Sequence, residues 1–194
     1  MRRATVGMGV VATCLLALGT VQASTVIGLT IEDQARLSKH VVVGEVVAQA
    51  GVVHPENGLE TEVTLRVLTT WKGDVRPGQN LVFHTRSGEL DGEISTAIGE
   101  AVLFAGQRVL VFVEEVDGRL YNIGLSYGVF NTVEDAKGRL SFVRALQDGL
   151  DIVGDDEVGN GPFTADDMKT RVSYAARHPR FDNAMVRGTF GEGR

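Results

Sequence analysis

The sequence is poor in cysteine, histidine and proline, and each shortage excludes a class of protein. The single cysteine, Cys14, allows no intramolecular disulfide, so a disulfide-stapled fold is excluded and packing must supply the stability. The four histidines are scattered along the chain and predict no metal cluster, and no cofactor-binding motif is present. Only four prolines accompany 24 glycines and many valines, a composition that favours short strands and tight turns over a helical bundle.

Basic residues are also outnumbered. The 194 residues include 19 Lys and Arg against 25 Asp and Glu, which gives a net charge of −6. An acidic surface repels phosphate groups, and it lacks the basic residues that would displace counterions from them and so favour binding. Nucleic acid is therefore excluded as a partner, and an anionic membrane surface is disfavoured.

The first 23 residues are predicted to be a secretory signal. Arg2 and Arg3 precede an apolar run, Val6–Leu18, and Val21-Gln22-Ala23 is a small-x-small cleavage site. The run is shorter than the roughly 20 residues of a membrane span. We therefore expect cleavage, a periplasmic or extracellular location and no stable span in the mature chain; an uncleaved anchor is the alternative. Cleavage removes Cys14 and both arginines, leaving 17 basic residues against 25 acidic ones and a net charge of −8.

The longest regular pattern covers residues 60–71. Val63, Leu65, Val67 and Trp71 share one side of a period-2 alternation, while Glu60 falls on the polar side. This pattern predicts a long half-buried strand that ends at Lys72-Gly73. Further strands are predicted from apolar runs, and turns from Asn-Gly, Asp-Gly and Lys-Gly pairs; the runs are 41–47, 81–85, 108–113, 120–133 and 140–143.

Strands at this spacing, with glycines that allow strong coiling, favour a mainly β fold. We predict a small OB-like Greek-key barrel over residues 24–144, with a β-sandwich as the alternative. A short N-terminal helix is predicted over 29–38, with Thr30 as its N-cap. Residues 145–163 are acidic and Gly-rich and predict a linker. Residues 164–194 predict a C-terminal helix and a frayed tail; the helix has Thr164 as N-cap and an apolar face of Met168, Val172, Ala175 and Ala176.

No catalytic constellation is evident. The sequence contains no Gly-x-Ser-x-Gly elbow and no phosphate-binding loop, and its acidic run at 148–157 lacks EF-hand spacing. We therefore predict a protein that is not an enzyme, with no catalytic, cofactor or metal site. The alternative is an enzyme or metal-linked protein whose site assembles from His54, His84 and Glu89.

Three aromatic residues are candidates for a binding surface. Trp71 is the only tryptophan and stands at a strand end, so it is either an exposed anchor or a plug at the rim of the core. Tyr121 and Tyr127 carry the same two interpretations. The loops at 51–59 and 86–99 could also carry recognition.

The order of elements resembles a group of uncharacterised secreted bacterial proteins. The residues that carry this resemblance are a helix, Val-Val-Val-Gly-Glu-Val, Thr-Glu-Val-Thr-Leu-Arg-Val-Leu-Thr-Thr-Trp-Lys-Gly and Gly-Gln-Arg-Val-Leu-Val-Phe-Val, over roughly 29–133. More distantly, the order is similar to netrin/TIMP-like modules. The resemblance implies an OB barrel, but no functional residue, since the disulfide-forming cysteines of the animal modules are absent.

These observations lead to one functional hypothesis. We expect an exported, non-enzymatic binding or accessory module that contacts another envelope or secreted protein through the loops of its barrel.

Overall fold

The computed structural model describes residues 24–154 and 161–178. The predicted signal at 1–23, residues 155–160 of the predicted linker and the predicted tail at 179–194 lie outside these ranges. In the described ranges, no helix is long and apolar enough to cross a membrane.

Strands dominate the chain, which confirms the prediction of a mainly β fold. The described residues form the helices α1 (Ile31–Leu37) and α2 (Ala165–Arg177), and a 3₁₀ turn covers Leu125–Gly128. The strands are β1 (Ser24–Gly28), β2 (His40–His54), β3 (Gly58–Lys72), β4 (Asn80–Thr85), β5 (Gly88–Leu90), β6 (Glu93–Ser95), β7 (Arg108–Val116), β8 (Arg119–Asn122), β9 (Val129–Glu134), β10 (Leu140–Arg144), β11 (Leu150–Gly154) and β12 (Phe163–Thr164).

Eight of these strands form one mixed sheet in the order β12-β10-β9-β7-β2-β3-β4-β8. Strand β8 also pairs with β7, so β7, β2, β3, β4 and β8 form a closed ring. Four junctions of the ring are antiparallel, and the parallel junction of β4 with β8 consists of one residue pair, His84 with Tyr121. Strands β5–β6 and β1–β11 form two small separate sheets.

The molecule has two hydrophobic cores, one on each face of β2 and β7. The interior of the ring holds side chains from its strands, among them Val42, Val46, Val63, Leu65, Val67, Phe83, Val109, Val111 and Val113. The outer face carries Val41, Val43, Leu110 and Phe112, and both helices cover it. A strand buried on both faces is expected to have a continuous apolar sequence, as β2 and β7 have. Strands β3 and β7 therefore contribute side chains to one interior.

Gly44 allows the long β2–β3 hairpin to coil. A Cβ at this position would lie 2.6 Å from the Leu65 side chain and 2.8 Å from the carbonyl oxygen of Arg66. The register shifts between Val43 and Gly44, which marks a bulge, and bulges increase the twist of a strand pair. Gly44 is thus the position at which β2 bends.

Both helices begin at the predicted caps. The Thr30 hydroxyl accepts from the Asp33 backbone N–H, and the Thr164 hydroxyl accepts from that of Asp167. Met168, Val172 and Ala175 of α2 are buried in the outer core, whereas Ala176 is exposed, so the prediction for Ala176 is wrong. Arg171 fixes α2 to α1 with two hydrogen bonds to the Glu32 carboxylate, at 2.6 and 2.8 Å.

The structure corrects two further predictions. Residues 120–133 are not one strand, because Gly124 (φ +59°) and Leu125 (φ +58°) have left-handed backbones that end β8 and begin the 3₁₀ turn. The linker prediction is wrong for residues 150–154, which form β11. This strand pairs in parallel with β1 and places Leu150 and Ile152 against the outer core.

Candidate functional site

Trp71 packs against the protein rather than standing clear of it. It is half-buried, and its ring meets Phe142 edge-on, with 5.5 Å between the centroids. The sequence pattern put Trp71 on the same side as Val67, but Trp71 lies against the outer core and Val67 lies inside the ring. Register shifts between β2 and β3 reverse the alternation between these two residues.

Tyr127 is completely buried, so the prediction that it contributes to an exposed surface is wrong. Its hydroxyl donates to the carbonyl oxygen of Leu29 at 2.7 Å and accepts from the N–H of the same residue at 3.0 Å. The guanidinium of Arg144 lies 3.9 Å from the centroid of its ring. Tyr127 therefore anchors the segment before α1.

Tyr121 is also buried, and the surface prediction is wrong for most of its ring. Its hydroxyl donates to the Glu60 carboxylate, at 3.0 Å from Oε1 and 3.1 Å from Oε2. Tyr121 still lines a small cleft, described below, together with residues of the β2–β3 and β7–β8 turns. Burial and the hydrogen bond to Glu60 raise the pKa of Tyr121.

Glu60 is the centre of a buried polar cluster that the sequence did not reveal. It was expected on the polar side of β3 and is fully buried. Asn57 Nδ2 donates to Oε1 at 3.0 Å, and Arg119 Nη1 donates to Oε2 at 3.1 Å, in addition to Tyr121. Burial acts to raise the pKa of Glu60, but the hydrogen bonds from Asn57 and Tyr121 outweigh it, so the pKa is lowered.

A polar cleft of about 220 Å³ opens beside this cluster, and we call it the Tyr121 cleft. The β2–β3 turn and the β7–β8 turn form two of its walls, and Arg86, just after β4, forms a third. Its lining residues are His54, Glu56, Asn57, Arg86, Val116, Asp117 and Tyr121. The cleft thus combines one guanidinium, one imidazole and two carboxylates.

The structure does not bring His54, His84 and Glu89 together. His54 lines the Tyr121 cleft, and Glu89 lines a different groove. His84 is buried, with Nδ1 3.3 Å from the carbonyl oxygen of Leu120 and Nε2 3.8 Å from Glu62. No hydrogen bond or ion pair joins any two of the three. In the described part of the chain, no cluster of three or more His, Cys, Asp or Glu residues could hold a metal ion.

The second concave surface, which we call the hairpin groove, has a volume of about 320 Å³ and lies between the β5–β6 hairpin and residues 101–103. The hairpin crosses the β2–β3 hairpin at close range. A Cβ at Gly51 would clash with the carbonyl oxygen of Glu89, and one at Gly88 would clash with the backbone of Glu60. These two glycines therefore determine where the β5–β6 hairpin sits.

Large apolar side chains are exposed around the hairpin groove. Ile94, in β6, is 71% exposed, and Val102 is 50% exposed; both line the groove. Phe104 is 65% exposed and follows Leu103, another lining residue. Five of the lining residues carry hydroxyl groups, namely Thr61, Thr85, Ser87, Ser95 and Thr96. The predicted recognition loop at 86–99 supplies much of this surface.

Arg86 and Glu60 are the residues that sequence reasoning missed. A lone glutamate at the start of an alternating strand predicts a solvated side chain, and the donors that bind Glu60 lie up to 61 residues away.

No protein-family model, curated protein or solved structure matches this chain.

Proposed function

We propose that this chain is an exported, non-enzymatic binding module that holds another envelope or secreted protein in the hairpin groove. The observation that carries the proposal is the exposure of Ile94, Val102 and Phe104 beside one groove. Exposed apolar side chains that cluster, rather than occur singly, are typical of protein-interaction sites.

The fold that presents this surface is proposed to be an OB-like barrel. The ring order β2-β3-β4-β8-β7, with a parallel junction only between β4 and β8, supports this assignment. Binding surfaces of such barrels are formed by strands and the loops between them. The β5–β6 hairpin is an insertion between the third and fourth strands of the ring.

The proposed occupant is an extended segment that carries apolar residues flanked by Lys or Arg. Strand β6 pairs only with β5 in the described residues, so its outer edge offers backbone groups to an added strand. Glu89, Asp91 and Glu93 are exposed on the same hairpin, and no Lys or Arg among the described residues lines the groove. Opposite charge on the partner increases the association rate and favours the correct partner.

A peptide-binding experiment tests this proposal. Fluorescent peptides of alternating Val and Lys, and of alternating Val and Glu, are titrated with the chain from Ser24 onward. We expect the Val-Lys peptide to bind and the double substitution Ile94→Ser with Val102→Ser to weaken it tenfold or more. Val133→Ser removes a side chain of β9 that is 49% exposed and is the matched control.

Cross-linking tests the same surface with natural partners. A photo-reactive residue at position 94 should capture one defined protein from an envelope fraction, and the same residue at position 133 should not. Equal capture at both positions, or unchanged peptide affinity in the double variant, would overturn the proposal.

A further inference from the structure

The Tyr121 cleft contains a guanidinium that forms no side-chain hydrogen bond or ion pair with the described residues. The Arg86 guanidinium lies over the ring of Tyr121, with 4.9 Å between Cζ and the ring centroid. In the described residues it makes no hydrogen bond and no ion pair; only its backbone N–H is engaged, by Glu100 at 2.8 Å. A guanidinium held on an aromatic face keeps its in-plane N–H donors directed sideways, available to a ligand.

Arg119, a second arginine near the cleft, already forms an ion pair with Glu60. Arg119 donates to Glu60, whose carboxylate also accepts from Asn57 and Tyr121. The charge of Glu60 is therefore matched within the cluster and does not require Arg86. Glu114 lies near enough for Arg86 to lower its pKa, although burial is the larger influence and leaves that pKa raised.

His54 supplies a second donor of defined orientation. Its Nδ1 accepts from the backbone N–H groups of Glu56 and Asn57, both at 3.1 Å. Because both partners are donors, Nδ1 carries no proton and the ring proton of this tautomer is on Nε2. No described residue accepts from Nε2. The β2–β3 turn thus fixes the imidazole as an N–H donor beside the cleft.

Two carboxylates complete the lining. Glu56 and Asp117 are exposed and lie in the two turns that line the cleft, and in the described part of the chain neither is in an ion pair. Their charges disfavour a ligand that is purely anionic, such as phosphate, and favour one that also carries an amine. The lining of the cleft therefore combines N–H donors, from Arg86 and His54, with carboxylate acceptors, from Glu56 and Asp117.

We propose that the Tyr121 cleft binds a small zwitterion, a free amino acid, with its carboxylate on Arg86 and His54 Nε2 and its amine toward Glu56 and Asp117. The volume of about 220 Å³ suits a ligand of this size. A bidentate contact from guanidinium to carboxylate is the strongest hydrogen-bonded pair that such a cleft can offer. This site is separate from the hairpin groove and does not depend on the function proposed for it.

Titration with single amino acids tests the inference. Each of the twenty amino acids, and separately acetate, ethylamine and inorganic phosphate, is titrated into the chain from Ser24 onward by calorimetry. We expect at least one amino acid to bind with a Kd below about 1 mM, more tightly than the three simpler probes. Two-dimensional NMR should show its largest shifts at His54, Arg86 and Tyr121.

Substitutions locate the binding. Arg86→Gln should weaken the binding of the amino acid tenfold or more. Arg86→Lys should lose less affinity, because lysine keeps the positive charge but cannot make the bidentate contact of a guanidinium. Arg76→Gln changes an exposed arginine outside the cleft and should have no effect. Acetate or phosphate binding as tightly as every amino acid, no binding at all, or an unchanged affinity in Arg86→Gln would overturn the proposal.

Discussion

The Tyr121 hydroxyl is hydrogen-bonded to the Glu60 carboxylate, and this pair joins β8 to β3 across the intervening strand β4. The backbone closes the ring at that point with a single residue pair, His84 with Tyr121. Side chains therefore reinforce the weakest junction of the ring. Arg119, also in β8, adds a charged hydrogen bond to the same carboxylate.

Glu60→Gln is expected to destabilise the fold. The substitution keeps the shape of the side chain but removes the negative charge that accepts hydrogen bonds from Arg119 and Tyr121. One carboxylate oxygen is replaced by an NH2 group, which cannot accept a hydrogen bond from either donor. We expect a loss of about 2 to 3 kcal/mol in the free energy of unfolding, measured with urea. Glu62→Gln, a partly exposed position, should cost less than about 0.5 kcal/mol. Equal losses in the two variants would contradict the role given to Glu60.

The lowered pKa of Glu60 predicts sensitivity to acid. Its folded pKa lies below the ordinary 4.5, so its contribution to stability is complete above pH 4.5 and is lost as the pH falls through the folded value. Tyr121→Phe removes one of the donors that lower this pKa, so the folded pKa moves closer to 4.5 and the loss of stability on acidification should be smaller. Unfolding free energies measured from pH 3 to 7 check this; identical profiles for Tyr121→Phe and the parent chain would count against it.

His40 predicts a second pH dependence, nearer neutrality. Burial lowers its pKa below the ordinary 6.5, against an opposing effect of Asp74. Stability from this group is therefore complete above pH 6.5 and falls as the pH drops toward the folded value, because the unfolded chain takes up the proton first. His40→Asn should flatten the stability profile between pH 7 and 5. An unchanged profile in His40→Asn would contradict this assignment.

Gly73 is predicted to be the less replaceable of two glycines with similar backbones. Gly73 (φ +99°) and Gly78 (φ +86°) both lie in the left-handed region, but only at Gly73 would a Cβ clash, with the ring of His40. Gly78→Ala should cost about 1 kcal/mol from backbone strain alone. Gly73→Ala should cost about 2 kcal/mol more, measured by thermal unfolding. Similar melting temperatures for the Gly73→Ala and Gly78→Ala variants would contradict this prediction, because they would show that the His40 ring moves aside without loss of stability.

Met168 is predicted to hold α2 on the outer core. Its side chain is fully buried, and Met168→Ala should lower the free energy of unfolding by about 2 to 4 kcal/mol. Lys169→Ala, at the next and exposed position, should change it by less than about 0.5 kcal/mol. Hydrogen exchange of α2 amides gives a second measurement, and unaltered protection in Met168→Ala would contradict tight docking.

The sequence predicted elements whose signals are local. The alternation in β3, the hydroxyl caps of α1 and α2 and the hairpin turn at Asp117-Gly118 all depend on residues within a few positions of each other. Asp117 (φ +50°) and Gly118 (φ +79°) have the backbone that such a turn requires. These features could be predicted because the chain within each element determines them.

Features that depend on distant strands could not be predicted. Trp71 lies on the opposite face from Val67 because bulges arise when β3 pairs with β2, which no alternation count includes. The sequence alone predicts a solvated Glu60, because its hydrogen-bond donors Tyr121 and Arg119 are in β8, a distant strand. Arg86 gives no signal, because its significance lies in its position over the ring of Tyr121, which the fold creates from residues 35 positions apart.

The parallel pairing of β1 with β11 determines the order in which the molecule can be assembled. Ser24 is paired with Leu150, and their positions differ by 126 residues. A nascent chain has made all five ring strands by residue 122, whereas β1 must wait for nearly thirty residues more before its partner exists. Strand β1 is thus among the last elements that can pair with a partner strand. A chain that stops before residue 150 lacks β11, the strand that holds Val26 and Ile27 against the outer core.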